Sequence, residues 1–139
     1  MMDFNNSLGF ILYKTQRKLQ NAIHQQFKEY GITPEQWGML RCLSKNEGVS
    51  PTDVAEFISK DKSNTIRIAA KLEKKGLVIY QPSLIDKRSY LIFITVKGTQ
   101  LFEKLVPIVV GLNNQATMGI TEEESARLKD LLGKIYHNF

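Results

Sequence analysis

The chain is poor in cysteine and histidine: Cys42 stands alone, and His24 and His137 are the two histidines among 139 residues. A single thiol closes no internal disulfide, so nothing points to an oxidising compartment. So few ligating side chains, with no metal-ligand spacing among them, leave no expected zinc site, and no cofactor is expected either. Long hydrophobic runs are missing too. No stretch approaches about 18 uninterrupted apolar residues, and the N-terminus lacks a basic region followed by an apolar run. The expectation is a cytoplasmic protein. There is also no glycine-rich phosphate loop, no nucleophile elbow and no spaced histidine–carboxylate pair, which argues against an enzyme. What is present is 42% hydrophobic and 24% charged, enough for one domain over residues 1–139 with a real core.

The net charge of +5 is mild, but it is not spread evenly. Between Lys60 and Arg88 lie eight basic side chains against three acidic ones, while the remainder carries eleven of each. The whole excess therefore sits in one 29-residue segment. A localised basic patch is the electrostatic footprint of a polyanion binder, although charge clustering alone is equally compatible with a solvated helix face. The structure this segment forms decides between them.

Helix punctuation is clear along the chain. Leu8, Ile11, Leu12, Leu19, Ile23, Phe27 and Tyr30 recur at helical spacing from Ser7 to the stop at Gly31. Thr33-Pro34-Glu35-Gln36 is a capping box opening a second helix that runs to Lys45. Ser50-Pro51 opens a third, short helix. Ser59-Lys60-Asp61 separates it from a basic fourth helix, about Lys62–Lys75, ended by Gly76. Two helices joined by three or four residues, the second one basic, form a helix-turn-helix. Leu77–Gln81 and Ser89–Ile94 are β-branched and aromatic and read as a hairpin around a loop holding Pro82, Asp86 and Arg88. Thr95 caps a helix from Val96 to about Met118, with a bend expected near Pro107. Thr121 to Glu124 is a second capping box, opening a final helix rich in leucine.

On the fourth helix, Thr65, Ile68, Ala69 and Leu72 share one stripe and are expected to pack inward. Ser63, Asn64, Arg67 and Lys71 then project outward. A helix fits the major groove of DNA. Asn64 and Arg67 are accordingly the base-reading candidates, since these side chains bond adenine and guanine edges in pairs. Lys62 and Ser63 are phosphate contacts at the helix N-terminus. The alternative for Asn64 is local capping within Asp61's turn. In the hairpin loop, Arg88 suits a narrow minor groove beside Lys87, and Asp86 is expected to hold Arg88 or the loop backbone in place.

This order of elements is a mainly α architecture with a small β-hairpin wing (α+β). It is a winged helix-turn-helix with N- and C-terminal dimerisation helices. Ser50-Pro51-Thr52-Asp53-Val54-Ala55, Lys62 to Ile68, Leu72-Glu73-Lys74-Lys75-Gly76-Leu77-Val78, Asp86-Lys87-Arg88 and Thr95-Val96-Lys97-Gly98 carry a specific resemblance. Over essentially its full length the chain resembles the MarR family of transcriptional regulators. The resemblance implies a sequence-specific, homodimeric DNA-binding regulator of a near-palindromic operator, a repressor relieved by a small-molecule effector. Residues of about 33–98 would form the DNA-binding part, and about 1–31 and 99–139 the dimerisation helices. Two departures stand out. Tyr80 occupies a position where many relatives carry an arginine, and Leu84-Ile85 makes the wing tip unusually apolar.

Leu8, Leu12, Leu128, Leu131, Leu132, Ile135 and Phe139 exceed what one winged helix can cover, so a second copy is the expected partner. The resemblance also implies a pocket for a small, often aromatic effector. Tyr13, Arg17, Trp37 and Arg41 are its candidates, although Tyr13 and Trp37 at helical spacing are more often plain core residues. Redox-sensing relatives carry a cysteine near the start of the first helix, which this chain lacks. Cys42, between hydrophobic neighbours, reads as inert and buried. Two other readings remain at this stage: a winged-helix protein-interaction module without specific DNA binding, and a thiol-redox-responsive regulator.

Overall fold

The computed structural model describes residues 3–86 and 88–139. Among these, six α-helices and one hairpin follow in order: α1 (Leu8–Phe27), α2 (Pro34–Lys45), α3 (Pro51–Ile58), α4 (Lys62–Lys74), β1 (Val78–Pro82), β2 (Tyr90–Ile94), α5 (Val96–Ala116) and α6 (Glu122–His137). The helix starts follow the capping residues. Thr33 accepts the Gln36 backbone N–H while the Gln36 side chain accepts that of Thr33, and Thr121 and Glu124 repeat the arrangement. Those bonds hold the Glu124 carboxyl below the usual carboxylate range.

The core forms where the end of α1, the helices α2 to α4, the hairpin and α5 meet. Phe27, Met39, Leu40, Val54, Leu72, Val78, Ile92 and Leu105 are fully buried there. Strand β2 pairs antiparallel with β1, Val78 opposite Ile94 and Pro82 opposite Tyr90. On its other side the Ile92 amide and carbonyl both bond Val49, at 2.8 and 3.0 Å, fixing the hairpin against the segment between α2 and α3.

Several boundaries differ from the sequence expectation: α1 ends at Phe27, with a 3-10 turn from Lys28 to Tyr30 before Gly31, and Pro82 ends β1 opposite Tyr90 instead of lying in the loop. Leu77 does not open a strand, because its N–H donates back to the Leu72 carbonyl to finish α4. Ser89 closes the wing loop, accepting from the Ser83 amide, instead of extending β2. At the other end α5 stops at Ala116, where Thr117 and Met118 turn back onto Asn113 and Gln115. Before that it runs as one helix through Pro107, whose ring leaves the Glu103 carbonyl without its helical donor.

A tie between distant segments fixes the wing relative to α4. The Thr95 hydroxyl donates to the Gly76 carbonyl at 2.7 Å and accepts from Gly98 N–H. Lys97 Nζ donates to the Lys75 carbonyl at 2.8 Å. Gly76 takes a left-handed φ of 74° to end α4. Gly98 lies so close to β1 that a Cβ there would collide with the Leu77 carbonyl oxygen. The Thr-x-Lys-Gly pattern is thus a structural joint between the end of α4 and the start of α5.

The expected apolar surplus is open on the single chain. Leu8, Leu12, Leu128, Leu131, Leu132 and Phe139 are exposed, and Ile135 is half-buried. Among the described residues α6 buries none of its own side chains in the protomer. Phe4, Ile11, Val110 and Ile120 widen the same exposed inventory. No helix among the described residues is long and apolar enough to cross a membrane.

Candidate nucleic-acid interface

The turn between α3 and α4 is tight because Ser59 takes a left-handed φ of 56°, which lets the Lys60 amide bond back to Ala55 and release the chain toward α4. Thr65, Ala69 and Leu72 are buried and Ile68 is half-buried, as the inward stripe requires. Lys62, Ser63, Arg67 and Lys71 are exposed on the outer face, and Asn64 is half-buried beside them. Among the described residues the one side-chain ion pair is Lys134–Asp130 on α6. The cations of α4 therefore meet no carboxylate at contact distance.

Asp61 organises the start of α4. Its carboxylate accepts the Asn64 backbone N–H and the Asn64 side-chain NH2, each at 2.7 Å. The backbone N–H of Asn64 is the main reason the Asp61 carboxyl lies below its usual range, with the Asn64 side chain and the Arg67 charge adding to it. The Asn64 side-chain oxygen in turn accepts from Arg67 Nη2. Asn64 is engaged at both ends of its amide. That agrees with the local capping alternative, and it leaves the other N–H groups of the Arg67 guanidinium free. One outward residue escaped the sequence reading. Ile66, 46% exposed, stands next to Arg67 and belongs to neither the inward stripe nor the polar outward set expected from the sequence.

The wing tip is held by a polar ring. Asp86 accepts the Arg88 backbone N–H at 3.0 Å and the Ser89 hydroxyl at 3.1 Å. The Ser83 hydroxyl accepts the amides of Ile85 and Asp86, and the Ser83 amide donates to the Ser89 carbonyl at 2.8 Å. Asp86 thus holds the loop backbone, as expected, and Arg88 is exposed. Lys87 lies outside the described residues. At the base of the wing, Tyr80 is half-buried, and burial, helped by the Glu73 charge, pushes its hydroxyl pKa up.

Not all of the basic segment is available. Lys75 Nζ donates to the Gly31 carbonyl and to Gln36 Oε1, bracing α4 against the start of α2. The other cations of α4, Lys62, Arg67, Lys71 and Lys74, are exposed along its length.

A second feature lies behind this face. A cleft of about 490 Å³ opens between α1, α2 and the end of α3, lined by Gln20, Ile23, Trp37, Arg41, Phe57 and Lys60 among others. Trp37 stacks on Phe102 of α5, centroids 5.2 Å apart, and its buried Nε1–H has no hydrogen-bond partner among the described residues. Trp37 and Arg41 therefore lie where an effector pocket was expected. Tyr13 and Arg17 do not. They form an exposed pair on α1, Arg17 Nη1 donating to the Tyr13 hydroxyl at 3.1 Å, while the neighbouring stripe of Gln16, Gln20 and Ile23 faces the cleft. Cys42 is buried, and desolvation, with the Asp53 charge, pushes its thiol pKa up. That is the opposite of what a reactive thiolate needs.

Comparison with known proteins agrees with this geometry. The sequence profile of the MarR family matches residues 32–90, the span from the start of α2 to the second wing strand. The chain is 29% identical over 134 residues to the putative transcriptional regulatory protein for the hcr operon of Thauera aromatica, covering 93% of this chain and 78% of that protein. Its structure is similar to that of a MarR variant from Escherichia coli in complex with operator DNA, with a TM-score of 0.88, 25% identity, and coverage of 96% and 99%. It also shares its fold with BpsR of Bordetella bronchiseptica, a protein whose DNA binding is regulated by 6-hydroxynicotinic acid. Here the TM-score is 0.92 at 20% identity, covering 98% and 97%. With a basic fourth helix, a wing and this profile on one chain, residues 32–90 carry a MarR-family winged helix-turn-helix domain, and the chain as a whole is similar to DNA-binding transcriptional regulators of that family.

Proposed function

We propose that the protein is a homodimeric repressor that acts in the cytoplasm on a near-palindromic operator and is released by a small aromatic effector. Residues of about 33–98 read the DNA, and about 1–31 and 99–139 join the two copies. The observation that carries this reading is the convergence of the free positive charge on the outward face of α4 and on Arg88 of the wing. Arg67 is the principal base reader, through the guanidinium donors that Asn64 leaves free. Asn64 acts as its positioning residue, because its amide is oriented by Asp61 on one side and bonds the Arg67 guanidinium on the other. Ile66 offers an apolar contact for a thymine methyl. Lys62, Ser63 and Lys71 hold phosphates, and Lys87 and Arg88 extend the contact along the backbone and minor groove.

The cleft behind α2 supports the effector part of this reading. Trp37 and Phe57 provide aromatic walls, Arg41 and Lys60 supply positive charge, and the Trp37 N–H is an unspent donor. An apolar cleft with a few convergent polar groups suits a small aromatic anion. Lys60 and Glu35 also border the groove beside Asn64 and Arg67, so a ligand drawing on Lys60 acts next to the reading helix.

The phosphate role has a direct test. Lys62→Ala is expected to weaken binding to every duplex alike and to reduce the slope of log K against log salt by about one per protomer contact. Binding is read by fluorescence anisotropy across a salt series. An unchanged slope would remove Lys62 from the phosphate contacts.

A further inference from the structure

We propose that Leu84 and Ile85 form an apolar wedge at the wing tip that enters the minor groove and reads the deformability of the base step it meets. This rests on the DNA-binding reading above. Two adjacent aliphatic side chains are 100% and 99% exposed, an arrangement that costs hydration free energy in the unbound protein. They are held there by built geometry. The Ser83 hydroxyl accepts the amides of Ile85 and Asp86, and Asp86 ties down Arg88 and Ser89. The polar ring therefore closes the loop beneath the two side chains and pins the backbone that carries them.

Size and charge select the occupant. A second protein would need a patch of roughly 800 Å² per partner for a stable interface, far more than two side chains offer. A minor groove about 6 Å wide needs no such area, and leucine and isoleucine are among the side chains that part neighbouring base pairs there. The tip is followed in sequence by Asp86, Lys87 and Arg88; the Asp86 carboxylate is spent on the loop backbone and Ser89, and Arg88 is exposed on the same loop, so a charge complementary to phosphate follows the apolar tip. Pyrimidine–purine steps such as TA and CA are the most easily unstacked, so the wedge favours them on the outer flanks of the site and bends the duplex.

The test uses the full-length protein and duplexes it enriches from a random pool. Affinity is measured by anisotropy, and bending by energy transfer between the duplex ends. Leu84→Ser/Ile85→Ser is expected to bind about tenfold more weakly, to bend the duplex less and to lose the flanking-step preference while keeping that of the central positions. Leu84→Met/Ile85→Met, which keeps an apolar tip, is expected to retain all three. Equal affinity, bend and flank preference in the serine variant would overturn the wedge. So would a change in the mass of its DNA-free form on sedimentation, which would make another copy of the chain the occupant. If the wild-type protein enriches no duplex, the DNA reading itself falls, and this is seen before any variant is made.

Discussion

Leu132→Asp is expected to turn the protein into a folded monomer at micromolar concentration, with half the mass of the wild type by sedimentation. Helix α6 leaves Leu128, Leu131 and Leu132 exposed at 50, 43 and 36% and has no fully buried residue of its own among the described residues. Covering such side chains against a second copy contributes about 1.5–3 kcal/mol each. In a two-fold interface each residue counts twice, so one substitution removes two leucines and buries two carboxylates. Burying an unpaired carboxylate costs several kcal/mol more. Because α6 contributes no buried residue to the core around Leu40 and Leu72, the variant should keep its helical circular dichroism. An unchanged native mass would count against an interface built on α6.

Arg67→Ala is expected to cost about 1–3 kcal/mol on the preferred site, roughly 5- to 150-fold in affinity, and to flatten the preference at one base pair per half-site. Its affinity for unrelated duplexes should change far less, since the phosphate contacts proposed for Lys62, Lys71 and Arg88 would remain. Asn64→Ala removes the acceptor that bonds Arg67 and the donor that bonds Asp61. It should lower specificity in the same direction but by less, because the guanidinium itself remains. Paired measurements on preferred and scrambled duplexes separate the two roles. Equal losses on both duplexes for Arg67→Ala would reduce that residue to a phosphate contact.

The parts of this fold that were legible in the sequence are those set by short-range chemistry. The caps at Thr33, Ser50, Asp61, Thr95 and Thr121 bond amides three residues on, so the helix starts are written locally. The inward stripe of α4 follows from helical periodicity alone. What was not legible depends on long-range placement. Thr95 and Lys97 reach carbonyls 19 and 22 residues away, so their motif could be matched but not explained. Lys75 counted toward the basic patch until its ammonium was found on Gly31 and Gln36. On α1, Tyr13–Arg17 and Gln16–Gln20–Ile23 lie on adjacent stripes of one helix. Which stripe meets the cleft is decided by the rotation of α1 against α2, which periodicity does not specify.

On the proposed function, α4 and the wing of a two-fold dimer read a specific duplex. Enrichment of bound DNA from a random pool by the full-length protein, followed by sequencing, tests it most directly. The prediction is a single enriched motif of two inverted half-sites about one helical turn apart, centre to centre. A pool that stays random after repeated rounds, while the protein remains folded and dimeric, would contradict it.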